Sequence, residues 1–165
     1  YKGKKLYQFS NMHVRPTQAR IRKSVFQILE PLDGLEILDL YAGVGTLGFE
    51  ALSRGATRAV FVEKDYRVFK ILEKNTALFS NEKMILHLSD ALQFISRNQT
   101  EHFDIIFADP PYTITNFKHL KEKVLNCLKP GGIFCMEMKK QEIDESPDRI
   151  KYYGNTQMVF WEAAA

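Results

Sequence analysis

Residues 109–112 read Asp-Pro-Pro-Tyr, and this is the stretch of the sequence with the most specific chemistry. An amino group on a nucleic-acid base is a poor nucleophile, because its lone pair is delocalised into the ring. Two acceptors that hold its two hydrogens would draw the nitrogen towards a pyramidal geometry and stabilise the charge that develops on attack. We expect the Asp109 carboxylate and the Pro110 carbonyl to be these acceptors, with Tyr112 stacking on a base turned out of its helix. The plainer alternative is a turn that ends a strand beside a packed tyrosine.

A second set of candidates surrounds a glycine-rich turn at residues 43–48, where Gly43, Gly45 and Gly48 alternate with other residues. Glycines permit positive φ and let a ligand approach the backbone closely. Glu63 lies 20 residues after Gly43 and could accept hydrogen bonds from both ribose hydroxyls of an adenosine. An acidic residue at 90 could hold an adenine amino group. The predicted cofactor-binding residues of this region are Asp39, Ala42, Gly43, Gly45, Glu63, Asp90 and Ala91.

The glycine turn alone also fits the fingerprint of a dinucleotide-binding protein. Three features favour S-adenosylmethionine instead. Asp39 precedes the turn, and its charge would repel a pyrophosphate but suits the amino group of a methionine moiety. The chain is too short for a dinucleotide half plus a substrate half, and the Asp-Pro-Pro-Tyr motif is foreign to such dehydrogenases.

The charge of the chain is unevenly distributed. Residues 1–29 contain seven lysines and arginines and no acid, whereas the remainder has a net charge of −4. This asymmetry fits either an arm that binds a polyanion or a solvated basic surface. Lys2, Lys4, Lys5, Arg15, Arg22 and Lys23 are the candidates for contact with nucleic acid.

Apolar segments of strand length alternate with helical patterns along the chain. The predicted strands cover residues 36–41, 59–63, 84–88, 103–108, 133–138, 149–153 and 157–162, and the predicted helices cover 17–30, 47–54, 66–79, 91–97 and 116–128. This alternation is typical of an α/β protein with a parallel sheet and helices on both faces. Ligands of such sheets bind at the carboxyl ends of the strands, which is where the candidate residues lie.

Length and composition predict one domain over residues 1–162, with a basic arm at 1–29 and a short remnant at 163–165. The cysteines and histidines match no metal-ligand spacing, so we expect no metal. The absence of a long apolar run predicts a cytoplasmic protein without a membrane partner. We expect a monomer.

Three blocks of sequence resemble the bacterial guanine-N2 methyltransferases of 16S ribosomal RNA. They are Arg15-Pro16-Thr17 with Arg20 and Arg22, the run from Leu38 to Gly55, and Asp109 to Tyr112. The last block is shared with DNA adenine and cytosine amino-methyltransferases, so it indicates the reaction and not the base. The resemblance extends over nearly the whole chain.

This resemblance implies a Rossmann-like, seven-stranded class I methyltransferase fold, S-adenosylmethionine as methyl donor and ribosomal RNA as acceptor. It also implies that Thr17 bonds the carboxylate of the cofactor and that Arg20 helps to neutralise it. Lys23 stands where the family has an acidic residue, which makes that helix face more basic. The target is expected within the small subunit or its precursor, since the chain has no large recognition domain.

Three other functions compete with this interpretation. A DNA amino-methyltransferase would use the same chemistry, but no recognition domain interrupts the chain. A nicotinamide-dependent oxidoreductase would need a catalytic Tyr-x-x-x-Lys motif or a buried histidine and acid pair. A binding module that keeps the cofactor pocket without chemistry is disfavoured by the intact Asp-Pro-Pro-Tyr motif.

Overall fold

The computed structural model describes residues 4–9, 16–79, 83–111 and 117–165, with residues 16 and 17 described by their backbone alone. Within these ranges the chain alternates strands and helices around one sheet. The helices are α1 (Pro16–Leu29), α2 (Thr46–Ser53), α3 (Tyr66–Thr76), α4 (Ala91–Arg97) and α5 (Phe117–Leu125). The strands are β1 (Glu36–Asp39), β2 (Arg58–Glu63), β3 (Lys83–Leu88), β4 (Phe103–Ala108), β5 (Leu128–Lys139), β6 (Arg149–Tyr153) and β7 (Thr156–Glu162).

The sheet has the order β3-β2-β1-β4-β5-β7-β6 in the described part of the chain. Strands β1 to β5 run parallel, and β7 lies antiparallel between β5 and β6. This is the Rossmann-like, seven-stranded class I fold predicted from the sequence, and the prediction is confirmed. The strand order reverses between β1 and β4, which creates the crevice where ligands of such sheets bind.

Two apolar clusters cover the two faces of the sheet. One packs α1, α2 and α3 against side chains such as Ile37 and Phe107. The other packs α4 and α5 against side chains such as Leu38 and Ile106. Neighbouring strand residues point to opposite faces, so the near-continuous apolar runs of β2 and β4 fill both clusters.

Several elements end at residues other than those predicted. β5 begins at Leu128, because Leu128 pairs with Phe103 before the register shifts and the pairing resumes at Ile133. The helix predicted to reach residue 128 accordingly ends at Leu125. β1 stops at Asp39, where the chain turns into the glycine loop. At the other end of the chain, Ala163 donates its N–H to the carbonyl of Gly132 at 2.8 Å.

No helix in the described ranges combines the length and the apolar character that crossing a membrane requires.

Candidate active site

A cavity of about 460 Å³ opens at the carboxyl ends of the central strands. Its floor is apolar, since Phe107, Cys135 and Met158 are buried side chains that project from β4, β5 and β7 on the α1 side of the sheet. Residues Ile21 and Val25 of α1 form the facing wall. A pocket with an apolar floor and an apolar facing wall therefore lies at the switch point between β1 and β4.

Many of the predicted site residues meet in this pocket. Its wall includes Asp39, Ala42, Gly43, Glu63, Ala91, Asp109 and Arg22. Gly45, Asp90 and Pro110 adjoin wall residues along the chain, whereas Arg20 is exposed on α1. Lys2, Arg15 and Tyr112 lie outside the described residues, as does the side chain of Thr17. Lys4, Lys5 and Lys23 are all exposed on the surface.

The glycine turn between β1 and α2 has two different constraints. Gly43 has φ +57°, and a Cβ added to it would meet no atom within 4 Å, so it leaves open space at the pocket wall. Gly45 has φ +98°, and its Cβ would lie 2.3 Å from Cε2 of Phe49. The first glycine leaves the backbone open to a ligand, and the second allows the turn to pack on α2.

Glu63 at the end of β2 is bonded to the glycine turn. Its Oε1 accepts a hydrogen bond from the N–H of Gly43 at 3.2 Å, and its Oε2 accepts one from the N–H of Asp65 at 2.8 Å. These bonds fix the carboxylate in the pocket wall. Each oxygen retains a second lone pair, so the group can still accept two hydroxyl hydrogens from a ligand.

Asp39 is a buried carboxyl at the end of β1, with 1% of its surface exposed. Its pKa is raised to about 7, chiefly by burial; a hydrogen bond from the N–H of Tyr41 at 3.3 Å opposes this rise, and the charge of the nearby Glu63 adds to it. A cation bound in the pocket would favour the ionised form of this carboxyl. Asp39 is thus a candidate for holding a positively charged group.

Asp109 follows β4 and lies next to Glu137 of β5. Ala108 pairs with Met136 in the parallel register, so the residues after them, Asp109 and Glu137, lie side by side. Asp109 is exposed towards the pocket, although protein atoms crowd around its carboxyl. This desolvation raises its pKa to about 8, and the charge of Glu137 and a hydrogen bond between the two carboxyls raise it in the same direction.

Glu137 is a site residue that the sequence analysis missed. It lies within an apolar strand, as one charged residue in the run from Ile133 to Met138. That pattern was the available signal, because a charged side chain in a central parallel strand is costly unless it faces a cavity or a partner.

Asp90 caps a helix at the pocket, and its contact with an adenine stays a prediction. Its Oδ1 accepts from the N–H of Gln93 at 3.1 Å and caps the start of α4. It also lies near Tyr41, whose pKa is raised to about 12 by burial and by the charge of Asp90. The tyrosine hydroxyl therefore keeps its proton at neutral pH and can serve as a donor in the pocket wall.

Arg22 and Gln8 of the pocket wall come from the basic segment at residues 1–29, which was predicted to contact nucleic acid. Arg22, predicted to contact nucleic acid, lies in the pocket wall, whereas Arg20, predicted to contact the cofactor, is exposed. Residues two apart on a helix project in nearly opposite directions, so Arg20 points away from the pocket when Arg22 faces it. Gln8 enters the wall from the segment formed by residues 4–9.

No group of histidine, cysteine, aspartate and glutamate side chains within the described residues is arranged to hold a metal ion. The two cysteines are buried and unpaired with each other.

A family model described as "Conserved hypothetical protein 95" matches residues 1–162 of the chain. The chain is 35% identical over 152 residues to "Ribosomal RNA small subunit methyltransferase D" of Haemophilus influenzae, an alignment that covers 86% of this chain and 77% of the relative. A protein of the same name from Escherichia coli is 35% identical over 133 residues, covering 80% of this chain and 65% of the relative. The chain thus spans about two thirds to three quarters of these relatives.

A solved structure described as "Putative methyltransferase yhhF from Escherichia coli" matches with a TM-score of 0.88 and 27% identity. The superposition covers 99% of this chain and 93% of the other. The two chains therefore share the whole fold, including the strands that line the pocket.

Proposed function

The chain belongs to the Conserved hypothetical protein 95 family and is related to proteins named Ribosomal RNA small subunit methyltransferase D, and from this we propose that it methylates guanine. The proposed reaction transfers a methyl group from S-adenosylmethionine to the exocyclic N2 amine of a guanine in 16S ribosomal RNA. One observation carries the proposal: a single pocket joins Asp109 to Asp39, Gly43 and Glu63.

The pocket fits S-adenosylmethionine on three counts. The buried Asp39 carboxyl suits the amino group of the methionine portion, and the open space at Gly43 leaves room for close approach to the backbone. Glu63 can accept from the ribose hydroxyls, since it is fixed in the wall and has spare lone pairs. When bound, this cofactor supplies a methyl group made electrophilic by the positive charge on sulfur.

The same contacts disfavour a dinucleotide. The pyrophosphate of a dinucleotide carries negative charge, and Asp39, Glu63 and Asp109 all present carboxyls to the pocket. An anion there would be repelled by the ionised carboxyls. A ligand with a positive methionine portion is attracted by them instead.

Asp109 and Pro110 grip the acceptor base in this proposal. The Asp109 carboxylate accepts one hydrogen of the guanine amine, and the Pro110 carbonyl accepts the other. Two adjacent prolines restrict φ at residues 110 and 111, so the carbonyl direction is set before the base arrives. The grip orients the nitrogen lone pair towards the methyl group and stabilises the positive charge that develops on nitrogen.

The methylated nitrogen must then lose one proton. Asp109 is suited to receive it, because its raised pKa of about 8 makes it a stronger base than an ordinary carboxylate. The proton leaves the amine, the product is neutral, and the Asp109 carboxyl returns the proton to solvent when the base departs.

The acceptor is proposed to be RNA within the small subunit or its precursor. The basic segment at residues 1–29 can contact phosphates, and its exposed Lys5 lies three residues before Gln8 of the pocket wall. Guanines in loops of folded RNA are accessible without melting a duplex. The shape of the ribonucleoprotein would supply much of the selectivity.

The decisive experiment is transfer of labelled methyl from S-adenosylmethionine to unmodified small subunits, followed by nuclease digestion and identification of the labelled nucleoside by mass. We expect labelled N2-methylguanosine. Label on adenosine or cytidine would overturn the base assignment but keep the reaction, and absence of label would overturn the proposal.

A parallel assay compares naked 16S RNA with assembled subunits as acceptors. Preference for the assembled subunit is expected, because its folded surface orients the target base. Equal rates on the two acceptors would contradict the role proposed for the ribonucleoprotein.

A further inference from the structure

Glu137 lies beside Asp109 at the point where the acceptor base must bind. Ala108 of β4 and Met136 of β5 are register partners, so both carboxyl residues extend from the same level of the sheet. Phe107 and Cys135, two residues earlier on each strand, belong to the apolar floor of the pocket. By strand alternation, Asp109 and Glu137 continue that same face towards the pocket mouth.

The carboxyl of Glu137 has acceptor capacity to spare. It is half-buried in the pocket wall and forms a hydrogen bond with the carboxyl of Asp109. Within the described part of the chain, no N–H group donates to it. A charged group held in this way in an apolar strand costs folding free energy, which is explained if a ligand supplies the missing donors.

Guanine has the complementary pattern of donors. Its N2 amine is adjacent to a ring N–H at position 1, so two donors stand side by side on one edge. Adenine and cytosine place a ring acceptor next to the exocyclic amine instead. Two adjacent carboxylates can therefore pair with guanine, whereas a lone pair on the ring nitrogen of adenine or cytosine would face the second carboxylate.

We propose that Glu137 is the residue that selects guanine, accepting the N1 hydrogen while Asp109 accepts the neighbouring N2 hydrogen. This inference rests on the proposed function and adds a residue for choosing the base. The proton that the two carboxyls share in the free pocket leaves to solvent when the base enters, and two separate N–H bonds replace their contact. Asp109 acts on the reacting nitrogen, and Glu137 acts on the ring.

The test uses 2-aminopurine, which keeps the 2-amino group but has an acceptor at N1. Small subunits are reconstituted with RNA that carries either guanine or 2-aminopurine at the nucleotide identified by the labelling experiment, and kcat/KM is measured for both. The intact protein should prefer guanine by about tenfold to a hundredfold, the range expected when a charged acceptor faces a lone pair instead of a donor.

Glu137→Gln is the matched variant, because the amide has nearly the same size and can turn its N–H towards the ring acceptor. The preference for guanine should fall by about tenfold or more, with cofactor affinity unchanged. The ratio of kcat/KM for guanine to kcat/KM for 2-aminopurine is compared between the intact protein and Glu137→Gln. The missing O6 of 2-aminopurine affects both proteins, so its contribution cancels in this comparison. Glu162→Gln, on an exposed carboxylate at the opposite end of β7, should leave the ratio unaltered.

Three results would count against the proposal. If the intact protein methylates 2-aminopurine and guanine with equal kcat/KM, the protein does not recognise the N1 hydrogen. This conclusion needs no variant. If Glu137→Gln lowers both rates by one factor, Glu137 only positions Asp109. If the intact protein yields no N2-methylguanosine, the proposed function itself fails and the inference fails with it.

Discussion

Asn75 and Tyr7 are joined by a reciprocal pair of hydrogen bonds. The N–H of Tyr7 donates to Oδ1 of Asn75 at 2.6 Å, and Nδ2 of Asn75 donates to the carbonyl of Tyr7 at 3.0 Å. The same Nδ2 group donates to the carbonyl of Val44 in the glycine turn at 2.9 Å. One buried amide thereby ties the segment of residues 4–9 to the loop proposed to bind the cofactor.

Asn75→Ala should lower the free energy of unfolding by about 2–3 kcal/mol, because it removes three hydrogen bonds and leaves the buried carbonyl of Val44 unpaired. It should also increase amide exchange and proteolysis within residues 4–9. Urea unfolding and hydrogen exchange measure the two effects. Asn126→Ala, at an exposed position after α5, is the control. An unchanged exchange rate at Tyr7 would contradict the role of this amide.

Asp109→Ala should reduce turnover by about a hundredfold or more, because the amine loses one of its two acceptors. Affinity for S-adenosylmethionine should change by less than about threefold. The variant removes one carboxyl from the pocket, but it removes no proposed contact with the cofactor. Single-turnover methyl transfer and calorimetric binding separate the two quantities. A large loss of cofactor affinity would show that Asp109 contacts the cofactor, which would contradict its proposed role as an acceptor for the base.

Glu63→Gln should weaken cofactor binding by about 1–3 kcal/mol, because charge-assisted hydrogen bonds to the ribose become neutral ones. The amide keeps one acceptor oxygen, so the glycine turn should remain folded. Binding is measured by calorimetry, and thermal unfolding checks the turn. Glu122→Gln, an exposed carboxylate on α5, is the control. Unaltered affinity in Glu63→Gln would refute the ribose contact.

Asp39→Asn should stabilise the cofactor-free protein at pH 8 by about 1–4 kcal/mol. The folded pKa of Asp39 is about 7, above the ordinary value of 3.8, so the folded state holds a proton that the unfolded state releases. Stability therefore falls as pH rises from about 4 to about 7, and the loss is complete above that range. Urea unfolding should show the gain at pH 8 and little difference near pH 4. An equal gain at both pH values would show that the raised pKa of Asp39 is not the cause. Cofactor affinity should fall in this variant.

Lys5→Gln should weaken binding to 16S RNA and reduce the slope of log affinity against log salt by about one. The exposed lysine is proposed to neutralise one phosphate. Affinity is measured by filter binding at several salt concentrations. Lys83→Gln, at the amino end of β3 and so at the opposite edge of the sheet from the pocket, should keep the full slope. Identical slopes for the two variants would exclude a specific contact at Lys5.

Sequence alone determined the fold class, the family and the position of most pocket residues. The alternation of strand and helix patterns predicts a parallel sheet, and parallel strands bring their carboxyl ends to one edge. Residues at the carboxyl ends of strands, such as Asp39, Glu63 and Asp109, were therefore predicted to meet, and the pocket contains all three. The resemblance to guanine-N2 methyltransferases of 16S RNA led to the family that the comparisons confirm.

Tertiary structure alone decided which side chains become neighbours across elements. The pairing of Glu137 with Asp109 depends on the register between β4 and β5, and the link between Asn75 and Tyr7 joins residues 68 positions apart. The choice of Arg22 over Arg20 for the pocket wall depends on how α1 is rotated against the sheet. Register and helix rotation are fixed by the packing of the whole core, so no local pattern in the sequence specifies them.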